Sequence, residues 1–318
     1  MKRMGVCGAA VLMLLAGAVE AAEAPYPARP IRVLVGYGAG GGADVATRLI
    51  APRMSERFGQ PVVVDNRPGA GSRIATEMLA RSAPDGYTIM MANVSFGATP
   101  ALHLKLDYHA ARDFSPVVMV DIVPNVLLVH PSVPVKSAGD LIALAKSQPG
   151  KLRHAFSGIG SAGHLIAESL QHDADITFLN IPYQSGPQSA AAVLGGEAQI
   201  VFVSVPTTLA NMKTGKVRAV AVTSVKRNAA LPEVPTIAET AIPGFSVNEW
   251  HGIIAPAGTP KAIIAALNTE VNRALTVQEV KERLSNLGAE VAGGTPEQIT
   301  EHARIEIARW KKILKPVD

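Results

Sequence analysis

One unit occurs twice in this chain: a short apolar strand, a glycine-rich turn, then a helix. The first copy runs from Ile31–Val35 through Gly36-Tyr37-Gly38-Ala39-Gly40-Gly41 into a helical stretch reaching about Phe58. The second lies about 120 residues later, a strand at 153–156 followed by Ser157-Gly158-Ile159-Gly160-Ser161-Ala162-Gly163-His164 and a helix over 162–171. Between and after them the alternation continues. Strands are predicted at Val62–Asp65, Tyr87–Met91, Val117–Val120, Asn125–Val129, 176–180, 198–203 and Val217–Thr223, and helices at 73–82 and 187–194. Ser137 to Asp140 forms a capping box for a further helix stopped by Pro149-Gly150. Strand, turn and helix repeated in this order build a parallel sheet covered by helices. Thr259-Pro260 and Thr295-Pro296-Glu297-Gln298 open two more helices near the C-terminus. In the second of these Ile299, Ala303, Ile307, Trp310 and Leu314 share one face, the pattern of a helix packed on a domain.

At 318 residues the chain holds about two domains. Apolar residues at 48% and charged residues at 18% give it enough to bury a core. Aromatics at 4% and a net charge of +4 without a basic run argue against a nucleic-acid partner. The N-terminus reads as a secretory signal: Met1-Lys2-Arg3, then an uncharged run from Met4 to Val19, too short for a membrane span. Val19 and Ala21 satisfy the small-residue rule, so cleavage is expected after Ala21, giving a signal peptide of 1–21 and a periplasmic mature chain. Cys7, the single cysteine, precedes the apolar stretch instead of ending it, so the protein is not expected to be a lipoprotein. Disulfide frameworks and cysteine-ligated metal sites are excluded with it.

The first glycine turn matches G-x-G-x-x-G, and Asp65 ends the next strand where a ribose-binding acid would stand. A nicotinamide cofactor does not suit an exported chain, so no cofactor is expected. What survives is the physics beneath the motif: glycines let backbone N–H groups approach a ligand, and a helix N-terminus favours negative charge. The second turn adds two hydroxyls, Ser157 and Ser161. Two such turns in two α/β halves describe a clamp on a small anion, for which a carboxylate suffices. Catalytic constellations are weak. There is no G-x-S-x-G elbow, and the pairs His103/His109 and His164/His172 do not fall at helix-face spacing, so neither an enzyme nor a metal site is expected.

The whole chain from Tyr26-Pro27-Ala28-Arg29-Pro30-Ile31 to Trp310 resembles a known family. The stretches that carry the likeness are Gly40-Gly41-Gly42-Ala43-Asp44-Val45, the run from Gly59-Gln60-Pro61 to Pro68-Gly69-Ala70-Gly71, Ala83-Pro84-Asp85-Gly86-Tyr87-Thr88, Leu231-Pro232-Glu233-Val234-Pro235-Thr236 and Ala255-Pro256-Ala257-Gly258-Thr259-Pro260. Their order and spacing are those of the tripartite tricarboxylate transporter substrate-binding proteins, the TctC or Bug family of extracytoplasmic solute receptors.

The resemblance implies a bilobed α/β periplasmic-binding-protein fold, two α/β domains joined by two crossing strands near 117–123 and 217–223. Lobe 1 would comprise 22–121 plus 224–318, and lobe 2 would comprise 122–223. It implies a monomeric receptor that closes on a small organic carboxylate and delivers it to a two-subunit integral membrane permease. A receptor serving a signalling partner, or a secreted enzyme, are the alternatives. The family holds the carboxylate with backbone amides, hydroxyls and water instead of an arginine. Its contact regions fall here on Gly40, Gly41, Gly42, Ala43 and Asp44, on Asn93 and Ser95, on Ser157, Gly160, Ser161, Ala162, Gly163 and His164, and on Tyr183 and Ser204. Several positions depart from the pattern. Gly36 and Gly38 replace stiffer residues, Ala43 stands where a hydroxyl is common, and Val203 stands where an acid is common, which disfavours an amino-acid ligand. Pro52 is expected to kink or restart the first helix.

Overall fold

A computed structural model describes residues 26–103 and 105–317. The expected signal peptide lies outside the described residues. Along the chain, β1 (Ile31–Val35), α1 (Gly42–Phe58), β2 (Val62–Asn66), α2 (Arg73–Ala80), β3 (Thr88–Asn93), α3 (Val94–Leu102) and β4 (Phe114–Val123) come first. Next are β5 (Asn125–Val129), α4 (Ala138–Ser147), β6 (Arg153–Phe156), α5 (Ala162–Ala174), β7 (Leu179–Pro182), α6 (Gly186–Leu194), β8 (Ile200–Ser204), α7 (Val205–Met212) and β9 (Arg218–Val222). The chain ends with α8 (Ile237–Thr240), β10 (Glu249–Pro256), α9 (Lys261–Thr276), α10 (Gln278–Asn286), β11 (Glu290–Gly293) and α11 (Pro296–Ile313).

Two sheets carry the two lobes. The first has the order β11-β4-β10-β3-β1-β2, the second β7-β6-β8-β5-β9. In the first, β1 pairs in parallel with β2 and β3; in the second, β6 pairs in parallel with β7 and β8. Strands β1 and β3 are covered on both faces, so they read as almost unbroken apolar runs instead of alternating. The antiparallel strand β10 lies between β3 and β4. Its Glu-Trp-His-Gly-Ile-Ile-Ala-Pro sequence carries no turn signal that marks it as central. Gly252 in β10 is required by close packing: a Cβ there would lie 2.5 Å from Ile299 Cδ1 and 3.1 Å from the Val118 carbonyl. That contact brings α11 down on the sheet, with Ile299, Ala303, Trp310 and Leu314 buried and Ile307 packed against them, as the sequence spacing predicts.

The first crossing between sheets is short: β4 ends at Val123 and β5 begins at Asn125. The strand at 218–222 pairs with β5 inside the second sheet, and the chain next enters the first sheet at β10. At the junction Thr223 stitches the segments. Its N–H donates to the Asn125 carbonyl (3.0 Å), its hydroxyl accepts from Asn125 N–H (2.9 Å) and donates to Asn248 Oδ1 (3.0 Å), and its carbonyl accepts from Val247 N–H (3.3 Å). Pro52 does not restart α1, which remains one helix of 17 residues. The buried neighbours Ile50, Ala51 and Met54 anchor the helix on both sides of the proline, so core packing overrides the one missing hydrogen bond.

Candidate functional site: the cleft between the sheets

Parallel strands present their carboxyl ends, and the helices that follow them their N-termini, to one crevice. In the first lobe these are β1 leading to α1 and β3 leading to α3; in the second, β6 leading to α5 and β8 leading to α7. The N-cap of α1 is Gly41, which supplies no side chain to the first turn. The backbone N–H groups of Gly42 and Ala43 therefore lack an intrahelical acceptor. Asp44 braces this turn. Its carboxylate accepts from Gly40 N–H (2.8 Å), Arg48 Nε (2.9 Å) and Asn66 Nδ2 (2.9 Å). Burial alone would raise its pKa, but the Arg48, Gly40 and Asn66 hydrogen bonds outweigh it and hold the carboxyl below its ordinary value.

Asn93 is the buried N-cap of α3, and Ser95 follows in the first helical turn. The Ser95 hydroxyl donates to the Gly160 carbonyl at 2.7 Å and so receives the Tyr37 hydroxyl at 2.6 Å as an acceptor. This chain of two bonds ties the first glycine turn to the second across the cleft. On the far side Ser161 is the N-cap of α5, its hydroxyl accepting from His164 N–H at 3.4 Å. Gly160 N–H donates to His164 Nδ1 at 3.3 Å, which fixes that nitrogen as an acceptor. Burial of the imidazole pushes its pKa down to about 4, so it is neutral near pH 7. Ala162 and Gly163, the first two residues of α5, are left with N–H groups that no intrahelical carbonyl reaches.

A cavity of about 470 Å³ lies between the lobes. Of the residues expected at the site, Ser157, Gly160 and Ser161 line it. Gly40 to Asp44, Asn93, Ser95, Ala162, Gly163, His164, Tyr183 and Ser204 do not. Ser95 and His164 reach it through the Gly160 contacts above. Tyr183 continues from β7, its N–H donating to the Phe156 carbonyl at 2.8 Å. Ser204 is the N-cap of α7 and its hydroxyl lies 3.1 Å from that of Thr207. The other wall was not legible in the sequence: Tyr37, Ala70, Gly71, Arg73 and Thr99, with the apolar Leu102 and Val317. Gly69-Ala70-Gly71 belongs to the stretches that carry the resemblance, and this signal could have pointed to the wall. Ala70 (φ 47°) and Ser72 (φ 72°) both sit in the left-handed region, a strained conformation for side-chain-bearing residues. Gly36 makes room for that loop: a Cβ there would lie 1.8 Å from Ser72 Oγ.

Beneath the first glycine turn lies a buried histidine–carboxylate contact that sequence spacing did not suggest. His251 Nδ1 is 2.7 Å from Asp121 Oδ1, and its Nε2 is 4.0 Å from Glu249 Oε1. Burial opposes a charge on this imidazole, but the Asp121 carboxylate prevails and raises its pKa. The ring abuts the start of α1, where a Cβ on Gly42 would lie 3.1 Å from His251 Cε1. Among the described residues no group of three or more His, Cys, Asp or Glu side chains could hold a metal ion. No described helix is long and apolar enough to cross a membrane.

Residues 46–318 match the family described as the tripartite tricarboxylate transporter family receptor. The chain belongs to that family. It is 36% identical over 292 residues to the protein BugT of Bordetella pertussis, covering 91% of this chain and 90% of that one. Among solved structures, an R. palustris protein with adipate is 35% identical with a TM-score of 0.81, covering 91% of this chain and 97% of that one. MatC from Rhodopseudomonas palustris with bound malate is 32% identical with a TM-score of 0.80, covering 91% and 99%. The periplasmic binding protein BugD is 33% identical with a TM-score of 0.78, covering 90% and 97%. The family is one of periplasmic solute receptors, and the bilobed α/β fold is shared with these structures.

Proposed function

We propose that this protein is exported by its N-terminal signal and works in the periplasm as a monomeric, non-catalytic receptor. It captures a small carboxylate between its lobes and hands it to a two-subunit integral membrane permease. One observation carries the reading: the cavity between the lobes has in its wall Ser157, Gly160 and Ser161, the N-cap of α5, whose first-turn N–H groups have no acceptor within the helix. A carboxylate supplies those acceptors and meets a favourable helix dipole. The adipate and malate in two relatives support an organic acid as the ligand class.

The lobes are proposed to meet at Asn125, Thr223 and Val247–Asn248, with 22–121 in lobe 1 and 122–223 in lobe 2. Residues 224–247 are proposed to move with lobe 2, because Thr236 forms a bridge to Val222 and α8 packs on α4. The test is a thermal-shift and calorimetric screen of the mature protein against mono-, di- and tricarboxylates. At a hundred times Kd, linkage stabilises the folded state by about 2.7 kcal/mol, a rise of several degrees in melting temperature. A panel in which no acid shifts the melt, while a sugar or a nucleotide does, overturns the proposal. Uptake of the identified acid that depends on both this protein and the permease tests the delivery step.

A further inference from the structure

The cleft's first wall contains a feature that the family resemblance does not imply. Arg73 is the single Lys or Arg among the described residues lining the cavity. It stands at the start of α2, directly after the strained Ala70–Ser72 turn. Its Nε is closed to solvent and has no hydrogen-bond partner. The anion facing it, Glu77 one turn along the same helix, has Oε1 3.6 Å from that nitrogen, beyond hydrogen-bond reach. The single Lys or Arg side chain of the lining, with one donor unpaired, therefore borders a cavity whose wall also includes Ser157, Gly160 and Ser161.

We propose that Arg73 is a specificity-determining residue that takes the second anionic group of an elongated dicarboxylate whose first carboxylate is held by the Ser157–Ser161 turn. This rests on the carboxylate-receptor reading above and narrows it from organic acids to diacids. The two ends of the cavity differ in kind. The N–H and hydroxyl end can hold a carboxylate without a countercharge, as helix N-termini do. The Arg73 end offers the planar fork that matches a carboxylate with two parallel bonds. Leu102, Ile159 and Pro182 add apolar wall to the cavity, which suits a methylene chain.

The test compares saturated diacids of four to eight carbons with monoacids of the same chain length, adipate against hexanoate among them, by calorimetric titration. The wild type should bind the best diacid about 10–100-fold more tightly than its monoacid, the range for a hydrogen-bonded charged group. Arg73→Gln should lose that preference by weakening the diacid and leaving the monoacid within about threefold. Arg73→Lys, which keeps the charge but not the fork, should retain a preference of about 3–10-fold. It carries the test if the glutamine variant does not fold. Equal binding of adipate and hexanoate by the wild type overturns the proposal, as does a variant that weakens both acids alike. In either case the carboxylate reading stands. If no acid of either series binds, this inference fails, and the wider acid panel above decides the carboxylate reading.

Discussion

Acid should destabilise this protein through His154, a residue outside the cleft. The side chain is fully buried on β6 among Phe156, Phe178 and Phe202, with Nδ1 2.9 Å from Asn180 Oδ1 and Nε2 without a partner. Burial pushes its pKa down to about 4, against about 6.5 in an unfolded chain. Between those values the unfolded state binds the proton and the folded state does not, so stability falls as pH drops from 6.5 towards 4. Going from pH 7 to pH 5 should cost about 2 kcal/mol from this group alone, or about 6–12 °C in the melting temperature of the lobe that contains it. His154→Gln keeps a polar group for Asn180 but cannot titrate. It should be less stable than wild type at pH 7, through lost packing, yet lose about 6–12 °C less between pH 7 and pH 5. The buried carboxyl groups Glu168, Glu249 and Glu306 have raised pKa values and act in the opposite sense, but they are common to both proteins and cancel in the comparison. Thermal melts of both proteins at half-unit pH steps provide the measurement. Parallel losses of melting temperature for wild type and variant would refute the argument.

Three further outcomes are expected. Ser95→Ala removes the hydroxyl that joins Tyr37 to the Gly160 carbonyl, so closure should be weaker by about 1–3 kcal/mol. Small-angle scattering of the unliganded variant should then show a larger radius of gyration and titration a weaker acid affinity; values equal to wild type in both would count against the bridge. Ser161→Ala should weaken acid binding by about 0.5–3 kcal/mol, and Ser161→Asp, which can still cap α5 but adds an anion at the cavity wall, should weaken it far more. Wild-type affinity in the aspartate variant would remove Ser161 from the site. Gly36→Ala should displace the Ala70–Ser72 turn and cost about 1–3 kcal/mol of stability, and adding Ser72→Gly should recover most of it, since the added Cβ conflicts chiefly with the serine side chain. A double variant no more stable than Gly36→Ala would show that the conflict lies elsewhere.

The sequence by itself determined the local elements and much of the class of the molecule. Strands β1 and β3 are almost unbroken apolar runs, the α4 capping box joins Ser137 to Asp140, and the glycine turns announce two helix N-termini, because each of these rests on neighbours within a few residues. The motif order from Tyr26 to Trp310 was enough to identify the family. The tertiary structure decided what depends on distant partners. Strand β10 lies between β3 and β4 because its edges are satisfied by segments more than a hundred residues away, and no local pattern encodes that placement. His251 becomes a buried residue with a raised pKa because folding sets it against Asp121, 130 positions away. Asp44, expected among the contact residues, is spent on Gly40, Arg48 and Asn66, and Arg73, which reads like any helix-surface arginine, borders the cavity. The chemistry of each side chain was fixed by its identity; whether its donors and acceptors are used within the protein or left for a ligand was fixed only when the two sheets came together around the cleft.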